Sequence, residues 1–120
     1  MISVLYVDDE QDNLDVFVFN FYKKLNVHVA LNGEDGLALL TKENVDIVVS
    51  DYKMPGMDGV TFLEKVHEVY SDKARVLLTG NVNLDQFENQ VSNGVIHKIL
   101  QKPWDRNELL DTFSQLAKMS

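Results

Sequence analysis

Apolar positions recur along the chain in two rhythms. Short apolar runs, Val4-Leu5-Tyr6-Val7, Val27 to Leu31, Val45 to Ser50, Arg75-Val76-Leu77-Leu78 and Val95 to Leu100, read as strands. The third, Val45-Asp46-Ile47-Val48-Val49-Ser50, has the β-branched composition of a strand covered on both faces. Between the runs the period changes to that of a helix. Leu14, Phe17, Phe21 and Leu25 mark a buried stripe in a helix expected from about Asn13 to Leu25. Asn32-Gly33-Glu34-Asp35-Gly36 turns into a second helix through Leu37, Leu40 and Thr41, which Asn44 is expected to close. Phe62, Leu63, Val66 and Val69 give the inner side of a third helix, and Leu84, Phe87 and Val91 mark a fourth that ends at Asn93-Gly94. Leu109, Phe113 and Leu116 give a fifth, starting near Asn107-Glu108. Five strand-helix units with short connections predict an α/β domain: a right-handed, doubly wound parallel sheet with helices on both faces.

The residues on which these runs stop carry the candidate chemistry. Asp8-Asp9 follows the first run, and Asp51 follows the third, ahead of Met54-Pro55-Gly56-Met57-Asp58-Gly59. Thr79-Gly80 follows the fourth and Lys102-Pro103 the fifth. Parallel strands bring their carboxyl ends to one edge, where open sheets of this class form ligand crevices. Each motif alone has an ordinary reading. Asp8-Asp9 is then a capping pair or a solvated turn, Asp51 an Asx-turn ahead of Pro55, Thr79 a hydroxyl bonded to backbone and Lys102 a surface charge. Together, each at a strand end and in this order, they point to one site. An aspartate can attack a phosphoryl group and become an acyl phosphate, provided a cation offsets the repulsion between the two anions. An oxygen-only donor set without Cys or His suits Mg²⁺, or Mn²⁺. Crowded carboxylates disfavour one another's ionisation, so metal binding is expected to weaken at low pH.

Composition narrows the classes. The chain has 120 residues, 45% of them hydrophobic, enough for one domain over 1–120 and one continuous core. A net charge of −8 argues against direct contact with nucleic acid. With no cysteine there is neither a disulfide nor a thiolate metal site. No apolar run approaches the length of a membrane span, and Met1-Ile2-Ser3-Val4 lacks a basic leader, so the expected location is cytoplasmic.

Taken together, Asp8-Asp9, Asp51 with Met54 to Gly59, Thr79-Gly80 and Lys102-Pro103 resemble a response-regulator receiver domain from end to end. The resemblance implies a flavodoxin-like sheet of strand order 2-1-3-4-5 and a phosphoacceptor signalling module that switches conformation. On it, Asp51 takes a phosphoryl group from a histidine kinase or histidine phosphotransfer protein, and the reader of the switch is a downstream effector protein or an output domain. It further implies Asp9 as direct metal ligand, Asp8 acting directly or through water, an oxygen from Asp51 and the backbone carbonyl of Lys53. Thr79 and Lys102 would engage the added phosphoryl, Gly80 would leave room for it, and Lys53 and Asn81 stand where relatives tune slow hydrolysis.

One position departs from the family pattern. Three residues before the lysine, where an aromatic side chain is usual, stands Ile99, and His97, two residues earlier on the same strand face, is the nearest substitute for the switch. Val16, Phe19 and Tyr22 repeat at three-residue spacing away from the buried stripe of the first helix, which in the family helps dock the donor. Trp104 reads as a packing anchor, Asp58 as a helix cap, Met54 and Met57 as loop packing, and His28 and His67 as surface or satisfied groups. Two other readings compete: a phosphorylation-independent receiver-like binding module, favoured by Ile99, and a Mg²⁺-dependent aspartate-nucleophile phosphatase. The second wants an Asp-x-Asp arrangement, which Asp8-Asp9-Glu10 does not supply. With no dedicated general base, the chain is not expected to be a turnover enzyme. Flavin binding is weaker still, since Asp8 to Asn13 lacks the Gly and hydroxyl content of a phosphate cradle.

Overall fold

Alternation along the strands sorts the apolar side chains into two cores, one on each face of the sheet, instead of the single core expected from chain length. In the first strand, β1 (Ser3–Val7), Val4 and Tyr6 join one cluster while Leu5 and Val7 join the other. The computed structural model describes residues 1–81 and 83–118, in which β1 is followed by α1 (Gln11–Phe21), β2 (Asn26–Ala30), α2 (Gly33–Leu40), β3 (Ile47–Asp51) and α3 (Gly59–Val69). Then come β4 (Ala74–Thr79), a 3₁₀ turn over Leu84–Phe87 that runs into α4 (Glu88–Ser92), β5 (Lys98–Gln101) and α5 (Arg106–Lys118). The five strands are parallel, in the order β2-β1-β3-β4-β5, as the family resemblance implied.

One core lies between the sheet and the helices α1 and α5, with Leu14, Phe17, Phe21, Leu109 and Phe113 meeting Tyr6, Val49 and Leu78. Opposite, Leu40, Phe62, Leu63 and Val66 from α2 and α3 and Phe87 from the 3₁₀ turn cover Leu5, Val48 and Leu77. Trp104 anchors the start of the last helix, its ring 5.5 Å from that of Phe21 and 6.1 Å from that of Phe17. Helix starts are fixed by side-chain caps where the sequence supplies them. Asn32 accepts from Asp35 N at 2.7 Å and Asp58 from Thr61 N at 2.8 Å.

Several expected boundaries move, each for a local reason. The first helix begins two residues earlier than Asn13 and ends at Phe21; Leu25 remains buried, but through a turn in which its N–H donates to Phe21 O at 2.8 Å. The second strand stops at Ala30, leaving Leu31 exposed. The second helix ends at Leu40, and Asn44 accepts from Lys73 Nζ instead of closing it. Val69, expected inside, is 69% exposed, because Tyr70 leaves helical geometry there and packs on the core in its place. Val91 is likewise exposed, on a fourth helix only five residues long.

The fifth strand starts at Lys98, not Val95. Val95 N–H is taken by Asn93 Oδ1, Ile96 N–H by Gln90 O, and Val95 O by Arg75 Nε, so these groups are engaged before the ladder begins at Val76 opposite Lys98. Arg75 itself is buried, and its guanidinium also donates to the carbonyls of Lys73 and Gly94. Two loops at the end of the sheet away from the acidic motifs are thereby held to one side chain.

Gly59, the first residue of α3, lies against the backbone carbonyl of Asp51, and a Cβ there would overlap that oxygen. No flexible side chain is available to yield. Gly59→Ala is therefore expected to lower stability by about 1–3 kcal/mol, read as a lower urea midpoint at unchanged m-value.

Candidate functional site

Register brings the strand-end residues to one edge. Val7 pairs with Ser50, Asp51 with Leu78 and Thr79 with Gln101, so the residues that end or follow β1, β3, β4 and β5 stand side by side. They open on a cleft of about 430 Å³ lined by Asp9, Glu10, Asp51, Tyr52, Lys53, Thr79, Gly80, Asn81 and Lys102.

Asp8, Asp9 and Asp51 each present a carboxylate oxygen within 4.8 Å of the others. Asp8 is fully buried and held on both oxygens: Oδ2 accepts from Tyr6 Oη at 2.5 Å and Asn13 Nδ2 at 3.1 Å, and Oδ1 from Glu10 N at 3.0 Å. Burial and the bond to Asp8 push the Tyr6 hydroxyl far above its ordinary value, which keeps it a donor. Asp9 is exposed and faces the cleft. Asp51 is 6% exposed, and its Oδ1 accepts from Lys102 Nζ at 2.6 Å. Burial holds the Asp51 carboxyl above the usual range; the hydrogen bond and charge of Lys102 pull it down, and Asp8 and Asp9 push it up. The net result is a buried carboxylate in excess negative potential, an oxygen-only cluster of the kind a hard divalent cation takes.

Thr79 is buried with its hydroxyl at the cleft, where Oγ1 accepts from Asn81 N at 3.1 Å. Beside it Gly80 leaves open space, since a Cβ there would meet nothing within 4 Å. Lys53 lines the cleft two residues beyond Asp51. All six residues singled out from the sequence, Asp8, Asp9, Asp51, Lys53, Thr79 and Lys102, thus gather at one end of the sheet.

The arrangement matches a known family. The model of the response regulator receiver domain matches residues 4–114. The chain belongs to that family. Among curated relatives, this receiver is 29% identical over 116 residues to the hydrogenase transcriptional regulatory protein HoxA of Cupriavidus necator, covering 97% of the chain and 24% of the regulator. It is 29% identical over 111 residues to sporulation initiation phosphotransferase F of Bacillus subtilis, covering 91% of the chain and 88% of the relative. The receiver therefore spans about a quarter of the length of HoxA and most of the phosphotransferase. Among solved structures, the signal receiver domain of an HD domain-containing protein from Pseudomonas fluorescens superimposes with a TM-score of 0.90 at 32% identity, covering 98% of this chain and 95% of that one. The chemotaxis protein CheY4 of Vibrio cholerae gives 0.88 at 25%, covering 97% and 98%. Receivers are signalling modules of two-component systems, and none of the receiver's described helices is long and apolar enough to cross a membrane.

His97 does not take the place of a strand-five aromatic. It precedes β5, is exposed at the end of the sheet away from the cleft, and its Nδ1 accepts from Arg75 N at 3.0 Å. Desolvation of the ring where it meets the Arg75 backbone, then the charges of Arg75 and His67, lower its pKa. Ile99 is half-buried against the core on the α3 side, opposite Leu77. The sequence reading passed over Tyr6 and Asn13 as holders of Asp8. The signal for Tyr6 was its place two residues before Asp8 on the same strand face. Val16, Phe19 and Tyr22 are 51%, 78% and 55% exposed, so they do not pack within the domain.

The raised pKa of Asp51 has a consequence for stability. A folded-state value above the unfolded one makes this carboxyl favour folding only while protonated; the contribution is complete below the unfolded value and is lost as pH rises through the folded one. In metal-free protein Asp51→Asn is expected to raise the thermal midpoint at neutral pH. Calorimetry across pH checks it, and the difference from the parent should vanish below the ordinary carboxylate range.

Proposed function

We propose that this receiver accepts a phosphoryl group on Asp51. The observation that carries the reading is the meeting of Asp8, Asp9 and Asp51 within 4.8 Å while Lys102 is paired to Asp51 at 2.6 Å. In the transfer a carboxylate oxygen of Asp51 attacks phosphorus, the bond from phosphorus to a donor imidazole nitrogen breaks, and its electron pair returns to the ring. An acyl phosphate remains on Asp51. Mg²⁺, or Mn²⁺, held by Asp8, Asp9, Asp51 and the backbone carbonyl of Lys53 would supply positive charge against the incoming phosphoryl.

The chain's own groups do the rest. Tyr6 and Asn13 hold Asp8 in one orientation, leaving it as a fixed negative charge beside the nucleophile. Lys102 can follow the charge from Asp51 onto the new phosphoryl oxygens, and the Thr79 hydroxyl can donate to another, so two strands besides β3 register the modification. Hydrolysis returns the starting carboxylate, with Lys53 and Asn81 bordering the path of water. This is a single-turnover switch, not an enzyme acting on a substrate pool.

The donor is a histidine kinase or histidine phosphotransfer protein. A groove of about 590 Å³ supports this: it runs beside the cleft between α1 and the turn after β5, shares Lys102 with the cleft, and is walled by Val16, Pro103 and Trp104. With exposed Phe19 and Tyr22 beyond it, the groove offers apolar contact close to the nucleophile. The reader of the switch is a downstream effector protein or an output domain, the second in keeping with the small share of HoxA that the chain covers.

Incubation with a small phosphodonor and Mg²⁺ is expected to add the mass of one phosphoryl group, acid-stable and labile to hydroxylamine, and Asp51→Asn to abolish it. No gain in the parent would reject the proposal and leave the phosphorylation-independent binding module. In thermal unfolding, Mg²⁺ at about 100 times its Kd is expected to add about 2.7 kcal/mol, with the added stability falling on acidification and in Asp9→Asn.

A further inference from the structure

The inference rests on the phosphoacceptor reading and concerns how occupancy of the cleft leaves it. Tyr52 directly follows Asp51, and its N–H donates to Leu78 O at 2.9 Å, which carries the β3–β4 register one step beyond the strand. Tyr52 accordingly stands beside Thr79. By alternation it lies on the face of Val48 and Leu77, the face that the 3₁₀ turn covers. Its half-buried ring meets that of Phe87 edge-on, with centroids 4.9 Å apart and planes at 81°. Phe87 is 2% exposed and ends the 3₁₀ turn that becomes α4.

A second attachment reaches the same segment from Thr79. Asn81 donates its N–H to Thr79 Oγ1 at 3.1 Å, while its carbonyl accepts from Gln101 Nε2 at 3.0 Å. A threonine hydroxyl can donate to a phosphoryl oxygen while still accepting from Asn81, so a turn of Thr79 toward the cleft takes Asn81 with it. The segment that follows is one 3₁₀ turn of four residues and a helix of five, the short kind of element that opens most readily.

We propose that the Tyr52–Phe87 ring pair, together with the Thr79–Asn81 bond, couples the state of Asp51 to residues 84–92, and that this segment takes the part an aromatic on β5 would otherwise play. Ile99, opposite Leu77 on β5, has no ring. Tyr52, on the other side of Thr79, has one, already engaged with the segment that must move. Tyr52 and Phe87 are positioning residues: they transmit occupancy and do no chemistry.

Hydrogen exchange over residues 84–92, with and without Mg²⁺ plus the phosphoryl-mimicking beryllofluoride anion, tests the coupling. Fluorescence of Trp104, the single tryptophan, two residues past Lys102, follows binding of the mimic separately. In the parent, binding should change exchange in this segment several-fold. In Phe87→Leu, which keeps apolar bulk away from the cleft, the mimic should bind as in the parent while most of the change is lost. Tyr52→Phe, which keeps the ring, should retain the response, Tyr52→Leu should lose it even at concentrations where Trp104 fluorescence shows the mimic fully bound, and Ile99→Val should leave it intact. A full exchange response in Phe87→Leu or Tyr52→Leu, or a parent that binds the mimic without change in 84–92, overturns the coupling. A parent that neither binds the mimic nor gains mass from a phosphodonor overturns the phosphoacceptor reading, and the coupling with it.

Discussion

Everything at the working end of this receiver follows from having a carboxylate, Asp51, buried at the end of the central strand beside two more. Such a group is tolerated only with a cation close by. Lys102 provides it from β5, reaching across the end of β4 to close on Asp51 at 2.6 Å. The pair ties the middle of the sheet to its edge, and it leaves the site poised: any ligand that brings positive charge to the carboxylates, or moves negative charge outward onto a new group, changes what Lys102 and Thr79 should do.

The scaffold is arranged so that this end can change while the rest does not. Two dense cores, one on each face, fix the strands along their length, and the buried Arg75 locks the loops at the far end to backbone carbonyls. At the cleft end Asn81 bridges Thr79 and Gln101, and the Tyr52 ring meets that of Phe87. Gly59 belongs to the same economy of space, because its missing Cβ lets α3 begin against the carbonyl of Asp51.

Membership of the receiver family extends over residues 4–114, and within it this chain carries an aliphatic Ile99 where the resemblance leads one to expect an aromatic. Near it α4 is five residues long, and Tyr52 follows directly after Asp51. The exposed strip on α1 leads to a groove that shares Lys102 with the cleft and offers apolar contact beside it.

Strand number and parallel pairing were legible in the sequence because they depend on local signals: a β-branched run, a polar residue where it stops, a helical stripe after it. The order β2-β1-β3-β4-β5 came with the family resemblance, and because the stops in a parallel sheet share an edge, Asp8, Asp9, Asp51, Thr79 and Lys102 could be grouped as one candidate site. What sequence could not decide were matters of competition between distant groups. Val95 and Ile96 have strand composition, yet their backbone groups are claimed by Asn93, Gln90 and Arg75, and His97 is drawn to Arg75 instead of to the cleft. Tyr6 and Asn13 became holders of Asp8, and Tyr52 the neighbour of Phe87, only when the chain folded, because a hydrogen bond or a ring contact is set by where side chains end in space, and the spacing of residues along the chain does not contain that.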